Sequence, residues 1–160
     1  MGELRGMSPR LSPGDQVPQV VLARLLPTGE VQPLALREML NGKRGVLVGI
    51  PGAFTPVCTQ THIPELVTQA DRLRRAGFDH VLCIVPDNPW VLNAWAPLVD
   101  PQGKLTFLSD GNLKLARALG VTLLDQRNFL GECPTRYMLV AEDGVITRLH
   151  TESHPNRPHL

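Results

Sequence analysis

"RGVLVGIPG", residues 44–52, is a continuous apolar run bracketed by glycines and closed by a proline. Such a run suits a strand covered on both faces, inside a parallel or mixed sheet, because a strand with one wet face would alternate polar and apolar residues. A helix start follows within a few residues: Thr55 is placed to act as N-cap, with Pro56 at the first helical position. The helix is expected over about 55–76, with Gly77 ending it. Pro64 lies inside and is expected to kink it, having no N–H to give to the carbonyl of Gln60.

The rest of the chain repeats this alternation. "HVLCIVP" (80–86) reads as a second buried strand, and "NPWVLNAWAPLV" (88–99) as a helix with Val91 and Trp95 on one face. "KLTFLSD" (104–110) reads as a third strand and "NLKLARALG" (112–120) as a short helix closed by Gly120. "RYMLVAEDGVITRLHTE" (136–152) has two strand-like runs joined at Asp143-Gly144, the mark of a hairpin. Upstream, "QVPQVVLARLLPTGEVQPLAL" (16–36) reads as two short strands about a Pro-Thr-Gly-Glu turn, and "LREML" (36–40) as a brief helix. Strands alternating with helices and a terminal hairpin predict an α/β sandwich with a mixed central sheet flanked by helices, an order that resembles the thioredoxin-like fold, here with an N-terminal β-hairpin extension.

Composition bounds the function. The 160 residues predict one domain, 1–160, with 1–10 flexible and 152–160 a short tail. Hydrophobic residues make up 42%, and 16 Lys+Arg against 15 Asp+Glu leave a formal charge of +1. No basic run carries interleaved aromatics, so no nucleic-acid partner is expected. No stretch reaches the roughly 20 apolar residues of a membrane span, and residues 1–15 lack the apolar centre of a secretory signal, so the expected place is the cytoplasm. In a reducing compartment the three cysteines, Cys58, Cys83 and Cys133, would be thiols with chemistry or packing roles. With no closely spaced cysteine pair, a structural zinc is not expected; the sequence gives no signal for another metal or a bound cofactor.

Of the three, Cys58 has the surroundings of a reactive thiol. A helix capped at Thr55 would put it in the first turn, where unpaired N–H groups and the helix dipole favour the thiolate. Ionisation by itself yields at most about a 30-fold increase in nucleophile at neutral pH, and a Brønsted slope near 0.4–0.5 removes most of that. A fast reaction therefore needs donors aimed at the charge that develops on the substrate.

"PGAFTPVC" (51–58) contains Pro-x-x-x-Thr-x-x-Cys and resembles the peroxidatic motif of peroxiredoxins. The longer "PGAFTPVCTQTHIPEL" (51–66), with "HVLCIVPDNPWVLNAW", "FLSDGNLKLARALG" and "RYMLVAEDGVI" in the same order, is similar to the type II, peroxiredoxin-5-like subfamily across roughly residues 11–151. The resemblance implies a thiol-dependent peroxidase acting on hydrogen peroxide and alkyl hydroperoxides, with Cys58 as the peroxidatic cysteine. Thr55 would hydrogen-bond its sulfur and the peroxide, Pro51 would shield the pocket from water, and Arg136 would be the guanidinium that steadies both. It also implies a homodimer and recycling by a reducing thiol: glutathione, glutaredoxin or thioredoxin. A peroxide-sensing switch or interaction module with little turnover is the alternative.

Cys83 and Cys133 are the two candidates for an internal resolving thiol, against the alternative that each is simply a packing or loop residue. His62, four residues after Cys58, is read as a pocket-wall or packing residue. Cys133 stands where the subfamily commonly has a basic residue, and "SHPNRPHL" is too short and proline-broken for the final helix usual in the subfamily.

Overall fold

The structure, a computed structural model, describes residues 10–56 and 58–152, apart from the side chains of Cys58 and Gln60. The expected flexible start and short tail lie, but for their margins, outside the described residues. At those margins Arg10 donates its N–H to the Leu119 carbonyl, and Glu152 is bonded to Arg136.

The strands run β1 (Val21–Leu25), β2 (Val31–Ala35), β3 (Arg44–Gly49), β4 (His80–Val85), β5 (Thr106–Ser109), β6 (Thr122–Asp125), β7 (Gly131–Pro134), β8 (Tyr137–Glu142) and β9 (Val145–Thr151). The helices are α1 (Leu36–Leu40), α2 (Ile63–Arg75), α3 (Pro89–Val99) and α4 (Lys114–Leu119), with a π-helical turn at Cys58–His62 leading into α2. Seven strands form one sheet in the order β2-β1-β5-β4-β3-β8-β9. β4 is parallel to both β3 and β5, whereas β8 joins β3 antiparallel. The sheet is therefore mixed and flanked by helices, a thioredoxin-like arrangement. The N-terminal hairpin is part of it: β1 bonds β2 along its length and touches β5 through the Ala23–Ser109 bridge.

Two apolar layers account for the doubly buried strands. On one face Val46, Val81, Cys83 and Val85 pack with Ile63 and Ala70 of α2 and Leu92 and Trp95 of α3. On the other, Leu47, Leu82, Ile84 and Leu139 meet Leu36 and Leu40 of α1 and Leu115 and Leu119 of α4. Burying each such leucine contributes about 1.5–3 kcal/mol relative to exposure, which is why β3 and β4 need no polar face. Asn88 caps α3 by accepting from the Val91 N–H, ahead of Pro89 in its first turn.

Two features depart from the sequence expectation. The single kinked helix over 55–76 is a π-helical turn followed by a regular α2, with Pro64 in the first turn of the latter. In a π turn the carbonyl of residue 60 looks to residue 65, which has an N–H, instead of to Pro64, which has none. The second departure is a ribbon of β6 and β7, paired antiparallel from Thr122–Pro134 to Asp125–Gly131, in a stretch to which the sequence reading assigns no element.

Candidate active site

The segment after β3 is built from short-range constraints. Ile50 continues the sheet by donating its N–H to the Ile84 carbonyl, and Pro51 and Gly52 are buried. Ala53 donates its N–H to Asp87 Oδ2 at 2.9 Å, which ties the loop to the segment between β4 and α3. Phe54 has φ +64°, a conformation costly for a bulky side chain, and its ring lies 6.2 Å from that of Trp95. Thr55 then starts the helix: its carbonyl accepts from the Thr59 N–H at 2.9 Å, and its hydroxyl donates to the Gly52 carbonyl at 2.8 Å. Thr55 is thus the boundary residue predicted, and its hydroxyl closes the 52–55 turn. Cys58 opens the π-helical turn.

Arg136 reaches the same end of the sheet from a distant part of the chain. β8 pairs with β3 from Arg44–Glu142 to Gly49–Tyr137, so Arg136 falls beside the 50–52 segment. The register is enforced by volume: a Cβ on Gly49 would stand 1.8 Å from Tyr137 Cε2, so the tyrosine ring lies where any other residue would put its side chain. Arg136 is only 4% exposed, and its Nη1 donates to Glu152 Oε2 at 3.2 Å. Glu152 is itself held by its N–H on the Arg136 carbonyl and by the Thr135 hydroxyl on its own carbonyl. These bonds extend the β8–β9 ladder past the Tyr137–Thr151 pair.

The fold therefore gathers Pro51, Thr55, the start of the π-helical turn and Arg136 at one end of β3. Cys83 lies in the middle of β4, between Val48 and Phe107, fully buried beneath the α2–α3 layer. Cys133 is in β7 opposite Leu123, buried at 2% exposure; its position is a strand, not the open loop that one reading of the sequence allowed.

A cavity of about 220 Å³ opens between α2 and the β8–β9 hairpin; His62, Glu65, Arg136, Tyr137, His150 and Glu152 supply its charged and titratable groups. His62, read as a pocket-wall or packing residue, is in that wall, and its Nε2 has no hydrogen-bond partner among the described residues. Burial, then the charge of Arg136, hold its pKa below the usual imidazole value, while Glu152 and Glu65 pull the other way. Among the described residues no three His, Cys, Asp or Glu side chains cluster as a metal ion requires, and no helix is long and apolar enough to cross a membrane.

Asp87 and Glu152 escaped the sequence reading. Asp87 had a signal, a carboxylate in the turn-forming "PDN" directly after a strand. Glu152 had none, because its partner lies 16 residues away across a hairpin.

The sequence matches the Redoxin family over residues 12–160. It is 38% identical over 143 residues to peroxiredoxin-2E-2, chloroplastic, of Oryza sativa subsp. japonica, covering 87% of this chain and 64% of that one. To peroxiredoxin-2C of the same plant it is 32% identical over 139 residues, covering 87% and 86%. The chain thus spans less than two thirds of the first relative and most of the second. Among solved structures, reduced Prx3 in complex with H2O2 from Vibrio vulnificus superposes with a TM-score of 0.84 at 29% identity, covering 92% of this chain and 90% of that one. Peroxiredoxin 5 from Alvinella pompejana gives 0.79 at 29% identity, covering 89% and 90%.

Proposed function

From the premise that this chain belongs to the peroxiredoxin family, we propose that it is a thiol-dependent peroxidase whose reacting atom is the sulfur of Cys58. The observation that carries the reading is the convergence of Pro51, Thr55, the Cys58 turn and Arg136 at one end of β3 through the Gly49–Tyr137 register. The Cys58 thiolate attacks the terminal oxygen of a hydroperoxide. A sulfur–oxygen bond forms as the oxygen–oxygen bond breaks, and the departing alkoxide or hydroxide takes up a proton to leave as alcohol or water. Cysteine is oxidised to the sulfenic acid and the peroxide is reduced.

Arg136 supplies positive charge for the thiolate and for the departing oxygen, the Thr55 hydroxyl, whose own proton is on the Gly52 carbonyl, accepts from the peroxide O–H, and Pro51 keeps water off the reacting pair. One molecule of thiol then attacks the sulfenic sulfur, forming a mixed disulfide and releasing the oxygen as water. A second attacks that disulfide to return the Cys58 thiolate and leave as the oxidised thiol. Cys83 and Cys133 are both buried, Cys83 in the central strand beneath α2, and a disulfide needs Cα atoms within about 7 Å. That burial favours an external thiol of the glutathione, glutaredoxin or thioredoxin class over an internal one. Hydrogen peroxide and alkyl hydroperoxides are the substrates. A homodimer is inferred from three exposed aromatic rings around the site, Phe54 and Phe129 in loops and Trp90 in the first turn of α3, at 54%, 94% and 59% exposure. They belong together because Ala53 bonds Asp87 and a Cβ built on Gly52 would come 3.9 Å from Leu130 Cδ2.

The test is peptide mapping of reduced protein after one equivalent of peroxide, with and without a sulfenic-acid trap, beside Cys58→Ser. The expected result is trapped oxidation at Cys58 and no turnover in the variant. Turnover retained by Cys58→Ser would refute the mechanism, and an internal disulfide would replace the external thiol with the cysteine it names. Sedimentation of the same reduced sample is expected to give a dimer; a monomer at micromolar concentration would remove that inference.

A further inference from the structure

We propose that Glu152 is a positioning residue for the peroxidase reaction, fixing the plane of the Arg136 guanidinium and offsetting part of its charge. This rests on the reading of Arg136 just given. A guanidinium carries five N–H donors in a rigid fork, so one carboxylate contact sets the direction of the rest. Here the contact is Nη1 to Oε2 at 3.2 Å, between side chains 5% and 15% exposed. Glu152 is not held by that contact alone. Its N–H on the Arg136 carbonyl and the Thr135 hydroxyl on its own carbonyl register it against the very residue it orients.

The bland reading is that a buried arginine simply needs a counter-charge. The surroundings ask for more. Arg136 and Glu152 reach the cavity together from the hairpin, with His150 beside them, and meet His62 and Glu65 from the helical side. Arg136 and Glu152 act on His62 in opposite senses, so the potential felt at the start of the helix is a difference between the two charges. His62 is one helical turn past Cys58. Without the carboxylate the same place becomes more positive, which makes a nearby thiol more acidic and its thiolate a weaker nucleophile. The guanidinium would also lose its fixed plane. Both changes lower the rate at a pH where the thiol is already ionised.

The experiment is stopped-flow oxidation of full-length Glu152→Gln and Glu152→Asp by hydrogen peroxide across pH, with thermal unfolding of each. Gln keeps an acceptor oxygen without the charge; Asp keeps the charge on a shorter arm. In Glu152→Gln the midpoint of the pH–rate profile is expected to move down, and the plateau rate to fall roughly tenfold, within the range a small misplacement costs. Glu152→Asp is expected to restore the midpoint and part of the plateau. A Glu152→Gln protein that melts earlier but keeps midpoint and plateau would show a structural role and overturn the inference; so would a midpoint moved upward. If Glu152→Gln does not fold, Glu152→Asp decides: a wild-type midpoint with a lowered plateau supports positioning, and a wild-type plateau overturns it. Arg136→Met separates this from the parent reading. An unchanged plateau in that variant would dismiss Arg136 itself, whereas its collapse beside a silent Glu152→Gln dismisses Glu152 alone.

Discussion

The two ends of α2 are made differently. At its C-terminal end Ala76 donates back to Arg72, Gly77 donates to Arg74, and Gly77 turns the chain away with φ +103°. Arg72, Arg74 and Arg75 complement the helix dipole there, and Arg44 donates to the Ala76 carbonyl while lying over the Phe78 ring. At the other end Phe54 has a positive φ, a π-helical turn replaces the first α turn, and Pro64 withholds a donor. The regular end anchors the helix to the sheet; the irregular end bears the cysteine. Strain sits where the proposed chemistry is, and the orthodox end holds it in place.

The largest way to break this contrast is Thr55→Val, which keeps the side-chain shape and removes the hydroxyl. The expected kcat/KM falls about 100-fold or more, as when one transition-state hydrogen bond is lost, while stability changes by only about 0.5–1.5 kcal/mol. A rate within about twofold of wild type would take Thr55 out of the chemistry and leave it a turn residue. Gly77→Ala should do the reverse. Its φ is one that a side chain resists, and the added Cβ would sit 2.9 Å from Arg44 Nη1. Chemical denaturation should show a loss of about 1–2 kcal/mol. The rate per folded molecule should not move; a large loss of rate without loss of stability would mean that the two ends are not independent.

The smallest effect belongs to His62. Its pKa is lowered in the folded protein, so on acidification the unfolded chain takes up this proton first. His62 therefore contributes stability above the unfolded value, near pH 6.5, that is lost as pH falls from there through the lower folded value. His62→Gln should flatten that part of the profile of Tm against pH. An unaltered slope would assign the acid sensitivity to other groups.

Much of this was legible in the sequence where residue type and local spacing decide. The apolar runs of β3 and β4 announce burial on both faces, and Thr55-Pro56 marks the helix start. Asp143-Gly144 marks the hairpin, and Gly77 and Gly120 end their helices. What escaped depends on relations across the chain. "TLLD" and "GECP" are four-residue segments without a clear period, and become strands only by pairing with each other. The π-helical turn was anticipated as a kink, because a proline announces a missing donor but not how the backbone compensates. Arg136 could be nominated from its motif, whereas Glu152, which fixes it, follows only from the β8–β9 register.

The absent side chain of Gly49 has a consequence for the order in which the molecule can be built. The α-helices can begin to form from neighbouring residues, but the Tyr137 ring settles over Gly49 only when strands nearly ninety positions apart have met in register. That closure belongs to the slow, non-local part of folding, since a long loop must lose its freedom before the contacts it brings can repay the loss. A slip by one residue would turn Arg136 to the opposite side of the sheet. A nascent chain would thus have its thiol, and even the helix that carries it, before it had the guanidinium. The proposed reactivity toward peroxide would come last, as a signature of completed topology.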